Sequence, residues 1–142
     1  MARVRIDLPD RFDFSTEIPV LVRDINAAKH LANDALFAML HEARLRWLVS
    51  HGWNEANVEG AAILLADAAA IYTREGFWGM RLRVDLAVTE LRTRSFDLVY
   101  VLTDLASGEE IARAKHGAVF FDHATKAPVA APDAFRRAYA RA

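Results

Sequence analysis

The 142-residue sequence predicts an α+β domain in which a curved, five-stranded antiparallel sheet wraps one long helix. Two periodicities and a set of short connections carry that expectation. From about Asp34, the apolar residues Leu36, Met39, Leu40, Ala43 and Trp47 recur at helical spacing and define the buried side of a helix that stops near Gly52. Further on, Leu82, Val84, Leu86 and Val88 alternate with Arg81, Arg83, Asp85 and Thr89, and Phe96, Leu98, Tyr100 and Leu102 repeat the same period of two. These strands follow one another too closely for parallel crossovers, which need a dozen or more residues, so sequential strands are expected to be antiparallel neighbours.

Taken in order, residues 1–10 form an irregular arm, and Phe14 to Val22 reads as a first strand whose Pro19 suits an edge position. A polar loop, 24–33, leads into the helix, where Asn33 or Asp34 can cap the amino end and Gly52 supplies the stop. The segment Ala61 to Thr73 is Ala-rich enough for a helix, but Ile63, Leu65, Ile71, Tyr72 and Thr73 favour a strand and no cap precedes it. Gly76 and Gly79 bracket Phe77 and Trp78 in a turn. The two alternating strands follow, separated by a break at 92–94, and Ala106-Ser107-Gly108-Glu109 is a hairpin loop before a last strand from Glu110 to Phe121. Pro132 opens a short carboxy-terminal helix with Phe135, Ala138 and Tyr139 facing inward.

Composition narrows the function. A hydrophobic content of 54% suffices for one core, so residues 1–142 are expected to be a single domain. A net charge of −1 with both signs interspersed gives no basic field for nucleic acid. With no cysteine there is no disulfide, thiolate metal site or thiol nucleophile, and the cytoplasm is the expected compartment. The most apolar window, Ala61 to Ile71, is interrupted by Asp67 and is shorter than a membrane span, so none is expected. His30, His41, His51, His116 and His123 include no His-x-x-x-His pair, and no metal site is expected. Gly-x-Ser-x-Gly, P-loop and dinucleotide fingerprints are missing from the sequence.

One stretch carries a family signature. Asp24-Ile25-Asn26 through His30-Leu31-Ala32-Asn33, followed by His41-Glu42-Ala43-Arg44, resembles the hot-dog thioesterases of the 4-hydroxybenzoyl-CoA thioesterase type. Their pattern is Asp-x-Asp, a Gly-His-Val-Asn-Asn-like turn, then Glu-Ala-Arg on the central helix. The resemblance extends over nearly the whole chain, through the Ser107-Gly108 hairpin and the closing Phe120-Phe121-Asp122 strand. It implies a sheet wrapped around a helix, homodimers or homotetramers, and an acyl-CoA site where two subunits meet. CoA enters as part of the substrate, and no other cofactor is implied.

The sequence departs from that pattern at Asn26, where the family's second acid commonly acts as nucleophile or base. An amide can donate and accept hydrogen bonds but cannot take a proton from water near neutrality. Asp24 points to the same side if the chain is extended there, and is the first substitute as base. It can equally be a turn carboxylate. Glu42 is the reserve base, against a simple i,i+4 pair with Arg46. Asn26 and His30 are expected to position water or the thioester, and Asn33, with the free N–H groups of the helix start, to meet its carbonyl. Arg92 and Arg94, with Lys115 further out, are the candidate contacts for CoA phosphates. The expected activity is hydrolysis of an acyl-CoA thioester to free acid and CoA. The alternative is a hot-dog protein that binds acyl-CoA or a related ligand without turning it over.

Overall fold

The computed structural model describes residues 3–140. Its elements run β1 (Phe14–Pro19), a 3-10 turn (Val22–Asp24), α1 (Asn33–Ser50), β2 (Ala62–Tyr72), β3 (Arg81–Thr89), β4 (Ser95–Asp104), β5 (Glu110–Asp122), β6 (Ala127–Pro128) and α2 (Asp133–Tyr139). Every strand pairing is antiparallel, in the order β1-β3-β4-β5-β2. The expectation that neighbours in sequence pair in space holds for β3, β4 and β5 alone. β2 leaves α1 and pairs with β5 on the far side of the sheet, which frees β3 to meet β1. A sixth strand, not expected, is the two-residue β6, paired with Phe121 and Asp122 at the end of β5. Pro19 does lie on an edge strand, where its missing N–H costs no ladder bond.

The core is the space between α1 and one face of the sheet. Leu36, Met39, Leu40, Ala43, Trp47 and Leu48 of α1 meet Leu82, Val84, Leu86, Phe96, Leu98, Leu102, Ala114, Ala118 and Phe120. Trp47 is 1% exposed and donates its indole N–H to the Tyr139 hydroxyl at 2.8 Å. That bond ties α2 to α1, with Phe135 edge-on to the Trp47 ring. Ala138, expected to face inward, is exposed, because α2 is short and only Phe135 and Tyr139 reach the core.

The opposite face of the sheet carries the amino-terminal arm. Ile6 is buried there and its carbonyl accepts a hydrogen bond from Arg113 at 3.1 Å. Both long sides of the sheet end in strands with unpaired backbone groups, β1 on one side and the eleven-residue β2 on the other.

Candidate active site

The signature loop is built by local hydrogen bonds. After β1, Asp24 accepts the Leu21 N–H on its carboxylate at 2.8 Å and donates its own N–H to the Leu21 carbonyl at 2.9 Å. The chain is therefore turned, not extended, at Asp24, and Asp24 does not share a side with Asn26 as expected. Asp24 lines a groove on the β1 flank of α1 together with Met39, Glu42 and Arg46. Glu42 sits in that groove and accepts a 2.7 Å hydrogen bond from Arg46, the i,i+4 pair that its spacing allowed.

Asn26 faces a different space. Its side-chain oxygen accepts the N–H groups of Ala28 at 3.0 Å and His30 at 3.2 Å, while its backbone exchanges bonds with Lys29 and His30. Lys29 closes this loop in the left-handed conformation, φ 67°. Ile25 and Leu31 bridge across the base of the loop, and the Leu31 N–H docks on the Gly76 carbonyl at 2.8 Å. A side chain at 76 would come within 3.0 Å of the Leu31 Cβ, so glycine is what lets the two segments approach.

Between them lies a cavity of about 300 Å³ lined by Asn26, His30, Leu31, Leu36, Tyr72, Thr73, Arg74, Glu75, Gly76, Ile111 and Ala112. His30 Nε2 is 3.3 Å from a carboxylate oxygen of Glu75, and Phe77 presents its edge to the imidazole at a ring separation of 5.4 Å. Sequence reasoning missed Glu75. The polar run Thr73-Arg74-Glu75 ahead of Gly76 marks a strand end, but nothing local says that this strand end lies over the signature loop.

The remaining candidates lie elsewhere. Ala32, not Asn33 or Asp34, occupies the cap position of α1, without a side-chain bond. Asn33 is the exposed first residue of the helix, and Asp34 accepts only the N–H of its neighbour Ala35, at 3.0 Å. Arg92 faces Asp97 with two contacts of 3.3 and 3.4 Å, and that hydrogen bonding raises its pKa and holds it charged. Lys115 sits 3.1 Å from Asp67 and 3.7 Å from Asp97, on the sheet face away from α1. Hydrogen bonding from Lys115 lowers the Asp67 pKa. Arg94 is exposed in the same turn as Arg92. No group of three or more His, Asp or Glu side chains that could hold a metal occurs among the described residues.

A second polar cluster is buried under α1. Arg44, 4% exposed, reaches His116 Nδ1 at 3.1 Å, and the Tyr100 hydroxyl meets the same nitrogen at 3.0 Å. Burial, with the Arg44 charge added, pushes His116 down to about 4, and burial pushes Tyr100 up to about 12. Both are therefore neutral at pH 7. Glu55, 3.7 Å from Arg44 Nη2 and 3.0 Å from His41 Nε2, supplies the counter-charge.

Comparison with known proteins adds a family. The model of the thioesterase-like superfamily matches residues 20–139. A solved 1,4-dihydroxy-2-naphthoyl-CoA thioesterase from Synechocystis superposes with a TM-score of 0.80 at 25% identity, covering 89% of this chain and 95% of that one. The PA2801 protein from Pseudomonas aeruginosa superposes with a TM-score of 0.82 at 22% identity, over 90% of this chain and 98% of its own. A 12:0-ACP thioesterase from Umbellularia californica shares the fold at 15% identity, with a TM-score of 0.78, over 89% of this chain and 50% of that one. No curated protein matches in sequence.

Proposed function

Because the chain belongs to the thioesterase-like superfamily, we propose that it is a thioester hydrolase whose substrate is an acyl-CoA, acting in the cavity beside the 26–30 loop. The observation that carries this reading is the pairing of Asn26 and His30 on one cavity wall. Asn26 is held by two backbone N–H groups on its oxygen, so its Nδ2 donors are directed away from the loop. A preset donor of this kind suits the oxygen of a thioester carbonyl as it gains negative charge. His30 adds an imidazole, which has one nitrogen to donate a proton and one to accept it. The apolar side chains of Leu31, Leu36 and Ile111 offer a wall for the acyl group.

The CoA carrier is supported by the 25%-identical Synechocystis enzyme, which acts on a CoA thioester. The same fold also serves a 12:0-ACP thioesterase, so a carrier-protein thioester is the competing substrate form. Arg92 and Arg94 are the proposed phosphate contacts for CoA, and the acting unit is proposed to be a homodimer or larger, with β2 as its pairing edge.

Thiol release measured over aromatic and medium-chain acyl-CoAs, and over the same acyl groups on an acyl carrier protein, tests this. Turnover of a CoA ester is the expected result. Calorimetric binding of CoA esters without thiol release would instead assign a ligand-binding protein. Turnover of the carrier-protein esters alone would move the substrate class.

A further inference from the structure

Hydrolysis needs a group that takes a proton from water, and both carboxylates expected for that task, Asp24 and Glu42, line the groove on the other flank of α1. The cavity has carboxylate chemistry of its own. Glu75, in the segment between β2 and the turn at Gly76, lines the cavity with its carboxylate 3.3 Å from His30 Nε2. The flanking side chains are engaged elsewhere: Thr73 donates its hydroxyl to Glu110 at 2.7 Å, and Arg74 lies 3.5 Å from Glu109. The geometry points to His30 as the general base of this site, with Glu75, whose carboxylate faces Nε2 at ion-pair distance, as the positioning residue. The inference rests on the hydrolase reading above and deepens it.

The facing Glu75 carboxylate favours a proton on Nε2, which leaves the lone pair of Nδ1 to accept a proton. Water gives that proton to Nδ1 as its oxygen bonds to the thioester carbonyl carbon, and the carbonyl electron pair moves onto oxygen. The resulting oxyanion is met by the Asn26 Nδ2–H, whose direction is fixed by the Ala28 and His30 N–H groups on Oδ1. When the tetrahedral carbon collapses, the C–S bond breaks, its electron pair leaves with sulfur, and the imidazolium returns the proton to the thiolate. Thioester and water thus become acid and thiol, with nothing else consumed. Glu75 offsets the positive charge on the imidazolium, and the Phe77 edge braces the ring.

The test uses the full chain with benzoyl-CoA and hexanoyl-CoA as probes. Glu75→Ala is expected to lower kcat by about 10²-fold, the order of a general-base contribution, and to leave KM within about twofold. Glu75→Asp should recover part of that loss. Glu75 is 61% exposed at its side chain, so the variants fold. The second readout needs no turnover: ¹⁵N spectra of the His30 ring at pH 9 should show the Nε2–H tautomer dominating in the parent and a mixture in Glu75→Ala. Full activity in Glu75→Ala, or an unchanged tautomer ratio, overturns the dyad while the hydrolase reading stands. A parent protein that turns over no thioester in either carrier form overturns the hydrolase reading itself.

Discussion

Arg44 lies on the side of α1 that faces the core, next to Ala43, and an isolated sequence gives no reason to bury a guanidinium there. The reason is three-dimensional: Tyr100 and His116 come from β4 and β5, and only their pairing creates an acceptor under the helix. Removing the arginine takes a charge-assisted hydrogen bond from His116 under the helix, so Arg44→Ala should destabilise by about 1.5–3 kcal/mol, read as a shift of the urea midpoint at constant slope. His116 makes the same cluster pH-sensitive. Its folded pKa is near 4 against an ordinary 6.5, so between those values the unfolded chain binds the extra proton. Stability should therefore fall as pH drops from 6.5 toward 4, by up to about 3 kcal/mol, and His116→Asn should flatten that slope in urea titrations across the range. The site shows the same limit of legibility. Asn26 and His30 are visible in the signature, whereas the turn that directs Asp24 away depends on two bonds to Leu21, one of them to the Asp24 carboxylate. Asp24→Asn retains an acceptor for the side-chain bond and should keep nearly full turnover, measured beside Glu75→Ala.

At the scale of elements, the sequence was most legible where one period ran unbroken. The helix bounds and the strands β3 and β4 follow from apolar spacing because each turns one apolar side to the core between α1 and the sheet, although β4 is buried on its other side as well, at Asp97, Val99 and Val101. Trp47 is the centre of that contact, and Trp47→Ala should cost about 3–5 kcal/mol of unfolding free energy in denaturant titration. β2 is less regular, with a bulge between Leu65 and Asp67 that brings the Asp67 carboxylate over β5. A Cβ on Gly117 would stand 2.7 Å from that carboxylate, the end of an exposed side chain that must swing aside and give up its bonds to the Gly117 N–H and Lys115. Gly117→Ala should cost about 0.5–1.5 kcal/mol, the size of the displaced hydrogen bond, and combining it with Asp67→Ala should cost no more than Asp67→Ala alone in a double-mutant cycle. The pairing of β2 with β5 was hidden because local rules see only chain neighbours, and this crossover is set by where α1 delivers the chain.

At the scale of the whole molecule, the sheet ends on one side in the long edge strand β2. β2 is eleven residues long with Leu64, Leu65 and Tyr72 exposed, and a second copy pairing along it would satisfy its backbone groups and cover those side chains. Such a pairing also bears on CoA. The cavity lies at the Ile111 end of β5, whereas Arg92 and Arg94 lie beside Ser95, which pairs with Val119. Eight residues of strand separate those ends, about 26 Å at roughly 3.3 Å per residue. An antiparallel, two-fold pairing of β2 with its copy sets Tyr72 of one strand toward Ala62 of the other, and Ala62 is the residue opposite Phe121. In the dimer proposed above, that pairing would carry the Arg92 and Arg94 end of one subunit toward the cavity of the other, so the proposed site would draw on both chains. Sedimentation should accordingly give at least a dimer at micromolar concentration. Replacing Arg92 and Arg94 together with Ala should weaken binding of a CoA ester at low salt, with a smaller difference at high salt because screening already reduces the attraction. Mixing that double variant with Glu75→Ala, each in excess over the dimer dissociation constant after exchange, should restore up to one competent site in each mixed dimer. A monomer in sedimentation, or unchanged affinity in the double variant at low salt, would separate the arginines from the site.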